Sequence, residues 1–263
     1  MPIEKPRLIR LDMVGHRPLY QPDVLESLLD TFEANRLFAP KDWGLDERAH
    51  EPYSHTRVAK VAEGKPSDDL IFLRRPRQLK QTTILRLDER PGAATELSLK
   101  TPPSDWHHLF SLGDALAAAY QPDIAWVHIY SDAPPPFTTE AQELKYLMDA
   151  GVTGFSVGYR DNGPGGLGLR TYIGPRLIEL FGRELLLATP AVVAELPWGG
   201  ACIDLVDQPW QADLAALASA WRVAMDYLRP AEVFAAMDRD EQGYVYLAPG
   251  ARFTLRWSGG GFP

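Results

Sequence analysis

Cysteine occurs once in the chain, at Cys202. No disulfide can therefore form within it, and such a composition suits a reducing, cytoplasmic setting. Cys202 sits in an apolar run, where a free cysteine reads as a packing group and not as a nucleophile. No apolar stretch approaches the roughly 18 residues that a bilayer span requires. The opening residues, MPIEKPRLIRLDMV, lack the apolar segment of a signal peptide. Basic residues are outnumbered, with 27 Lys and Arg against 35 Asp and Glu, for a formal charge of −8 and a pI near 5.3. A field of that sign opposes nonspecific nucleic-acid binding and favours a basic partner.

Catalytic signatures are missing too. No Gly-x-Ser-x-Gly elbow occurs, which disfavours an α/β-hydrolase. No His-Glu-x-x-His and no Cys/His zinc spacing occurs, so neither a bound metal nor a cofactor is expected. The glycine-rich stretch GYRDNGPGGLG (residues 158–168) lacks the Lys-Ser/Thr ending of a phosphate loop and the Rossmann spacing. It reads as a flexible or tightly turned segment.

What is present is patterned for a core. The 263 residues suit one α+β domain, 1–263. The proline run at 134–136 offers a division into lobes 1–133 and 134–263. The segment 210–229 carries Leu214, Leu217, Trp221, Met225 and Leu228 at helical spacing. Upstream, residues 192–196 and 201–206 are short β-branched runs separated by Pro197-Trp198-Gly199-Gly200, which reads as a hairpin. Gly174-Pro175 opens a further helix with Leu177, Ile178 and Phe181 inward.

In the first half, residues 7–14 read as a strand. Gln21-Pro22-Asp23 then opens a helix with Leu25, Leu28, Leu29 and Phe32 on one face. Residues 37–53 show little periodicity and read as a long loop. Strands are expected at 56–62, 70–74 and 82–87. Ser104 is placed to cap a helix carrying Trp106, Leu109, Phe110 and Leu116. Residues 124–130, IAWVHIY, are apolar on both faces and suit a central strand. A helix with Leu144, Leu147 and Met148 inward follows. Near the C-terminus a helix is expected at 231–237, then strands at 244–247 and 253–257. The order gives an α+β fold with a largely antiparallel sheet covered by helices.

Candidate interaction residues come from the unpatterned stretch. Trp43 lies there beside Asp42, Asp46, Glu47 and Glu51, and Trp198 lies in the hairpin turn. An exposed aromatic among carboxylates suits contact with a basic protein. The sequence leaves open whether Trp43 anchors a partner or folds back over the core. His50 and His55, with Glu47 and Glu51 nearby, supply the alternative of a metal or acid–base site, against the simpler reading of a solvated loop. Asp12, Asp88 and Asp204 read as polar strand positions.

Three stretches carry a family resemblance. TYIGPRLIELFGRELLLATP (171–190), WGGACIDL (198–205) and PWQADL with WRVAMDYLRP (209–230) resemble immunity proteins of bacterial type VI secretion and polymorphic-toxin systems. The likeness is greatest over the C-terminal third and extends more weakly over residues 106–130. It implies a cytosolic antidote that binds and neutralises a cognate toxin by protein–protein contact, with no catalytic residues. The shared positions are turn glycines, packed tryptophans and helix caps, so the resemblance assigns no contact residue. The alternative is a hydrolase using histidine and carboxylate groups near His50 and His55.

Overall fold

Arg10 of the first strand pairs in register with His128 and with Lys100, so one early strand is flanked on both sides by strands far along the chain. The computed structural model describes residues 8–63, 69–76, 81–87, 95–101, 107–130, 137–152, 162–241, 245–248 and 250–253. The first half contains β1 (Leu8–Gly15), α1 (Pro22–Ala34), β2 (Asp42–Gly44), β3 (Glu51–Pro52) and α2 (His55–Glu63). There follow β4 (Asp69–Arg75), β5 (Gln81–Leu87), β6 (Thr95–Thr101), α3 (His107–Tyr120) and β7 (Ile124–Tyr130). The second half adds α4 (Glu140–Gly151), β8 (Arg170–Ile173), α5 (Pro175–Phe181), α6 (Arg183–Leu187), β9 (Val192–Glu195) and β10 (Ala201–Asp204). It continues with α7 (Leu214–Leu228), β11 (Ala236–Arg239) and β12 (Val245–Ala248).

Ten strands form one sheet in the order β3-β2-β4-β5-β6-β1-β7-β8-β10-β9, and every neighbouring pair is antiparallel. β11 and β12 form a separate two-stranded sheet. The fold is α+β, with helices on both faces of the large sheet. On one face Ile9, Leu11 and Met13 alternate with the polar Arg10 and Asp12, and the apolar set is buried. Val127 and Tyr172 share that face and meet α3 at Gly113, where a Cβ would come within 2.8 Å of the Tyr172 hydroxyl. α1 packs on α3 and α2. α4 lies on β7 at the opposite face, where Trp126 is buried, and α7 packs on α4 and, through the buried Trp221, on Leu167.

Local chemistry accounts for the elements. Pro22 starts α1 where its missing N–H has no partner to lose, and Val24, Leu25, Leu28, Leu29 and Phe32 are buried. Asp213 caps α7 by accepting from the Ala216 N–H at 2.8 Å. The helix therefore begins at Leu214, later than the periodicity alone suggests. The 192–206 hairpin forms as β9 and β10. Its turn holds Gly199 at φ +86, and a Cβ on Gly200 would lie 2.2 Å from the Trp198 ring.

Several expectations are corrected. Residues 56–62 are helical, as α2: Val58 and Ala62, four apart, are the buried pair, and this helical spacing overrides the β-branched Thr56 and Val58. The stretch 37–53 is not one loop, because β2 and β3 join the sheet there. β6 is a strand that the sequence pattern does not predict, although Leu97 and Leu99 alternate in it. A helix at 231–237 is replaced by a turn at Arg229–Ala231 and by β11, since Glu232 takes a left-handed conformation (φ 55) that ends helical winding. Phe253 ends a short helical turn at 251–253, and the rest of the strand expected at 253–257 lies outside the described residues. Ser104, Trp106, Asp88 and the proline run at 134–136 lie outside the described residues.

Of the glycine-rich stretch 158–168, residues 158–161 lie outside the described residues, and the remainder is packed. Residues 163–168 are buried. The Trp126 indole donates to the Gly166 oxygen at 2.9 Å and the Trp221 indole to the Leu167 oxygen at 3.0 Å. A Cβ on Gly165 would meet the Gly151 oxygen at 2.7 Å. The missing side chains here permit a main chain to thread between helices, and they serve packing.

Candidate functional site

The acidic-aromatic patch resolves into a small folded corner of the sheet. β2 brings Asp42 opposite Pro52 and Trp43 opposite Glu51. Trp43 is only 3 % exposed and belongs to the core, with the Arg57 guanidinium 5.8 Å from its ring centre. Of the two roles left open, the structure places Trp43 over the core. Asp46, Glu47 and Glu51 are exposed, and Asp42 is half-buried. The Asp46 carboxylate accepts from the Arg48 and Ala49 N–H groups, both at 2.6 Å, and these hydrogen bonds lower its pKa. Arg74 donates to the main-chain oxygens of Asp46 at 2.5 Å and Ala49 at 2.7 Å, pinning this turn to β4. Glu51 pairs with Arg57 at 2.7 Å. A rigid turn thus presents Glu47 outward.

Trp198 does not join this corner. It is half-buried in the turn between β9 and β10. Seven strand steps separate β2 from β10 in the sheet order, about 34 Å at the usual ~4.8 Å spacing. The two tryptophans stand near opposite edges of the sheet.

His50 is exposed, whereas His55 meets partners that sequence reasoning did not select. His55 Nδ1 lies 3.1 Å from Glu33 Oε1 and 3.7 Å from Asp30 Oδ1. The Tyr53 hydroxyl donates to the same Glu33 oxygen at 2.8 Å. Burial first, then Glu33 and Asp30, raise the Tyr53 pKa far above the phenol range, so it stays a donor. The only signal in the sequence was the i, i+3 spacing of Asp30 and Glu33 on the polar side of α1.

A second polar group lies inside the fold. Arg10 donates to Asp12 at 2.8 Å, and His128 Nε2 meets Asp149 at 2.7 Å. Lys145, buried, donates to the Ile129 oxygen at 2.5 Å and pairs with Asp149. These contacts fall beyond Val127 in β7, since among the described residues β8 pairs with β7 over Ile124–Val127. Burial pushes His128 down to about 4, helped by the Lys145 and Arg10 charges and opposed by Asp149. Burial also lowers Lys145, against the pull of Asp149. Asp12, read from sequence as an outward position, is buried here.

On the other face Arg170 spans two acids. It is bidentate to Asp204 at 2.6 and 2.7 Å and reaches Asp114 at 3.0 Å. Tyr172 donates to Asp114 at 2.7 Å. Next to them, burial pushes the Cys202 thiol up to about 12. A cleft of about 730 Å³ opens between α4, α7 and β11, floored by Trp221, Met225 and Met237 and edged by Arg222 and Asp226. Among the described residues, no helix is long and apolar enough to cross a membrane.

No family model matches the chain, and no curated protein does. Among solved structures, the chain is similar in fold to the Pseudomonas aeruginosa T6SS protein PA0821. That similarity has a TM-score of 0.55 and 12 % sequence identity, over 98 % of this chain and 83 % of that one.

Proposed function

We propose that this protein is an immunity protein of a type VI secretion system, binding a cognate toxin and neutralising it by contact. The observation that carries the reading is the fold likeness to a T6SS protein over nearly the whole chain. The stretches 171–190, 198–205 and 209–230, with their resemblance to immunity proteins, support the same reading from sequence. On this reading the protein acts in the cytoplasm and performs no chemistry of its own.

The partner's chemistry follows from the surface charge. Asp23, Glu26, Asp30 and Glu33 are all exposed on α1, which carries no basic residue. Glu47 and Glu51 are exposed nearby in sequence. These acids suit a basic toxin, whose approach they would steer. The test is to co-express the chain with a tagged product of the neighbouring gene. Co-purification together with relief of that product's toxicity is the expected result. Growth arrest that this chain does not relieve, with no co-purification, would overturn the proposal.

A further inference from the structure

We propose that Asp30, Glu33 and His55 form a surface site for one divalent transition-metal ion. The two carboxylates sit three residues apart on α1, on the side away from Leu25, Leu28 and Phe32. The imidazole comes from the first residue of α2, which packs on α1. The three ligands thus stand on two helices that hold each other in place, as a metal site requires. One ligand atom from each lies within 4.8 Å of the others.

The two separations from the imidazole suit an ion of zinc size. Four ligands around a tetrahedral zinc, with bonds of about 2.0–2.1 Å, stand about 3.3–3.4 Å apart. The separations from His55 Nδ1, 3.1 Å to Glu33 and 3.7 Å to Asp30, bracket that figure. The Tyr53 hydroxyl already donates to the Glu33 oxygen that faces the imidazole. Such an outer donor orients a carboxylate ligand and holds it when an ion arrives. The alternative is a cluster held together only by its own hydrogen bonds, and that arrangement needs a proton on Nδ1. Binding an ion displaces this proton to solvent, or leaves the ring protonated at Nε2 alone.

The donor set defines the ion. One imidazole nitrogen with two carboxylates suits Zn²⁺, Co²⁺, Ni²⁺ or Mn²⁺; without a thiolate it does not suit Cu(I), and the imidazole disfavours Ca²⁺ and Mg²⁺. Three protein ligands leave at least one position for water or for a side chain of a bound protein. The ligands are surface groups outside the apolar core, so the fold does not depend on the ion.

The test is calorimetric titration of the chelator-treated full chain with zinc chloride at pH 7.5, repeated with cobalt chloride read by absorbance. One ion per chain should bind in a single saturable step. His55→Ala and Glu33→Gln should each weaken binding by about tenfold or more, and Tyr53→Phe by about tenfold. His50→Ala should leave it unchanged. Melting curves of each variant without metal should match the parent, which separates lost ligation from lost folding. Absence of saturable binding, or equal binding by the His55→Ala variant, would overturn the site. Neither result bears on toxin binding, which is measured separately.

Discussion

The indole N–H of Trp221 donates to the main-chain oxygen of Leu167 at 3.0 Å, fastening α7 to the buried glycine segment. Trp221 is 5 % exposed, so this one side chain carries both packing and a buried hydrogen bond. Trp221→Ala should lower stability by about 3–5 kcal/mol through the cavity it leaves. Trp221→Phe keeps most of the ring but strands the Leu167 oxygen, for a smaller loss of about 1–3 kcal/mol. Urea unfolding of the three proteins checks the ranking. Equal stability of the alanine variant and the parent would remove α7 from the core.

His128 gives the fold a titration on the acid side. Its pKa is about 4 in the folded chain because burial disfavours the imidazolium, against an ordinary value of 6.5. Between those values the unfolded chain binds a proton that the folded chain refuses, so stability falls as pH falls from 6.5 to 4. Above 6.5 the group contributes no slope, and below 4 the loss is complete, on the order of 3 kcal/mol in all. His128→Gln should flatten unfolding free energy across that window relative to the parent. An unchanged slope would assign the acid sensitivity to other groups.

Cys202 should be inert in the folded protein. With the thiol at about 12, its thiolate fraction at pH 8 is roughly a thousandfold below that of a thiol at the ordinary value of 9.0. Iodoacetamide should label it slowly in buffer and readily in urea. Fast labelling of the native chain, seen by mass spectrometry, would place the thiol at an accessible surface.

The acidic corner separates stability from recognition. Trp43→Ala should lower the melting temperature while leaving affinity for the proposed toxin little changed, because the ring is buried against Arg57. Glu47→Lys should leave melting unchanged and slow association at low salt, an effect that fades as salt is added. Both are measured on the same preparations by calorimetry and stopped flow. An unchanged association rate for Glu47→Lys would move the contact surface away from this turn.

Much of the fold was legible because its signals were local. Ile124–Tyr130 is apolar on both faces and lies in the middle of the sheet. Pro22, Pro175 and the Gly-Gly pair at 199–200 mark boundaries through main-chain geometry that needs no tertiary context. α2 was misread because its nine residues hold only two buried positions, too few for the helical period to outweigh the β-branched residues. The glycines at 163–168 were misread because close approach of two main chains and a tight turn ask for the same residue. The candidate site was the least legible part. Asp30 and Glu33 stand more than 20 residues from His55, and the packing of α1 on α2 brings them together. Asp149 likewise reaches His128 only because α4 lies over the end of β7.

The pairing of β7 with β8 also decides what happens if the chain is cut. The break suggested by the prolines at 134–136 falls between these strands, yet Ile124–Val127 and Arg170–Ile173 lie side by side in one sheet. Separate pieces 1–133 and 134–263 would each carry a naked strand edge, the kind of surface that recruits any extended chain. Made alone, either piece is a seed for precipitation. Made together, each supplies the strand that quenches the other, and the seam becomes a natural joint for fragment complementation.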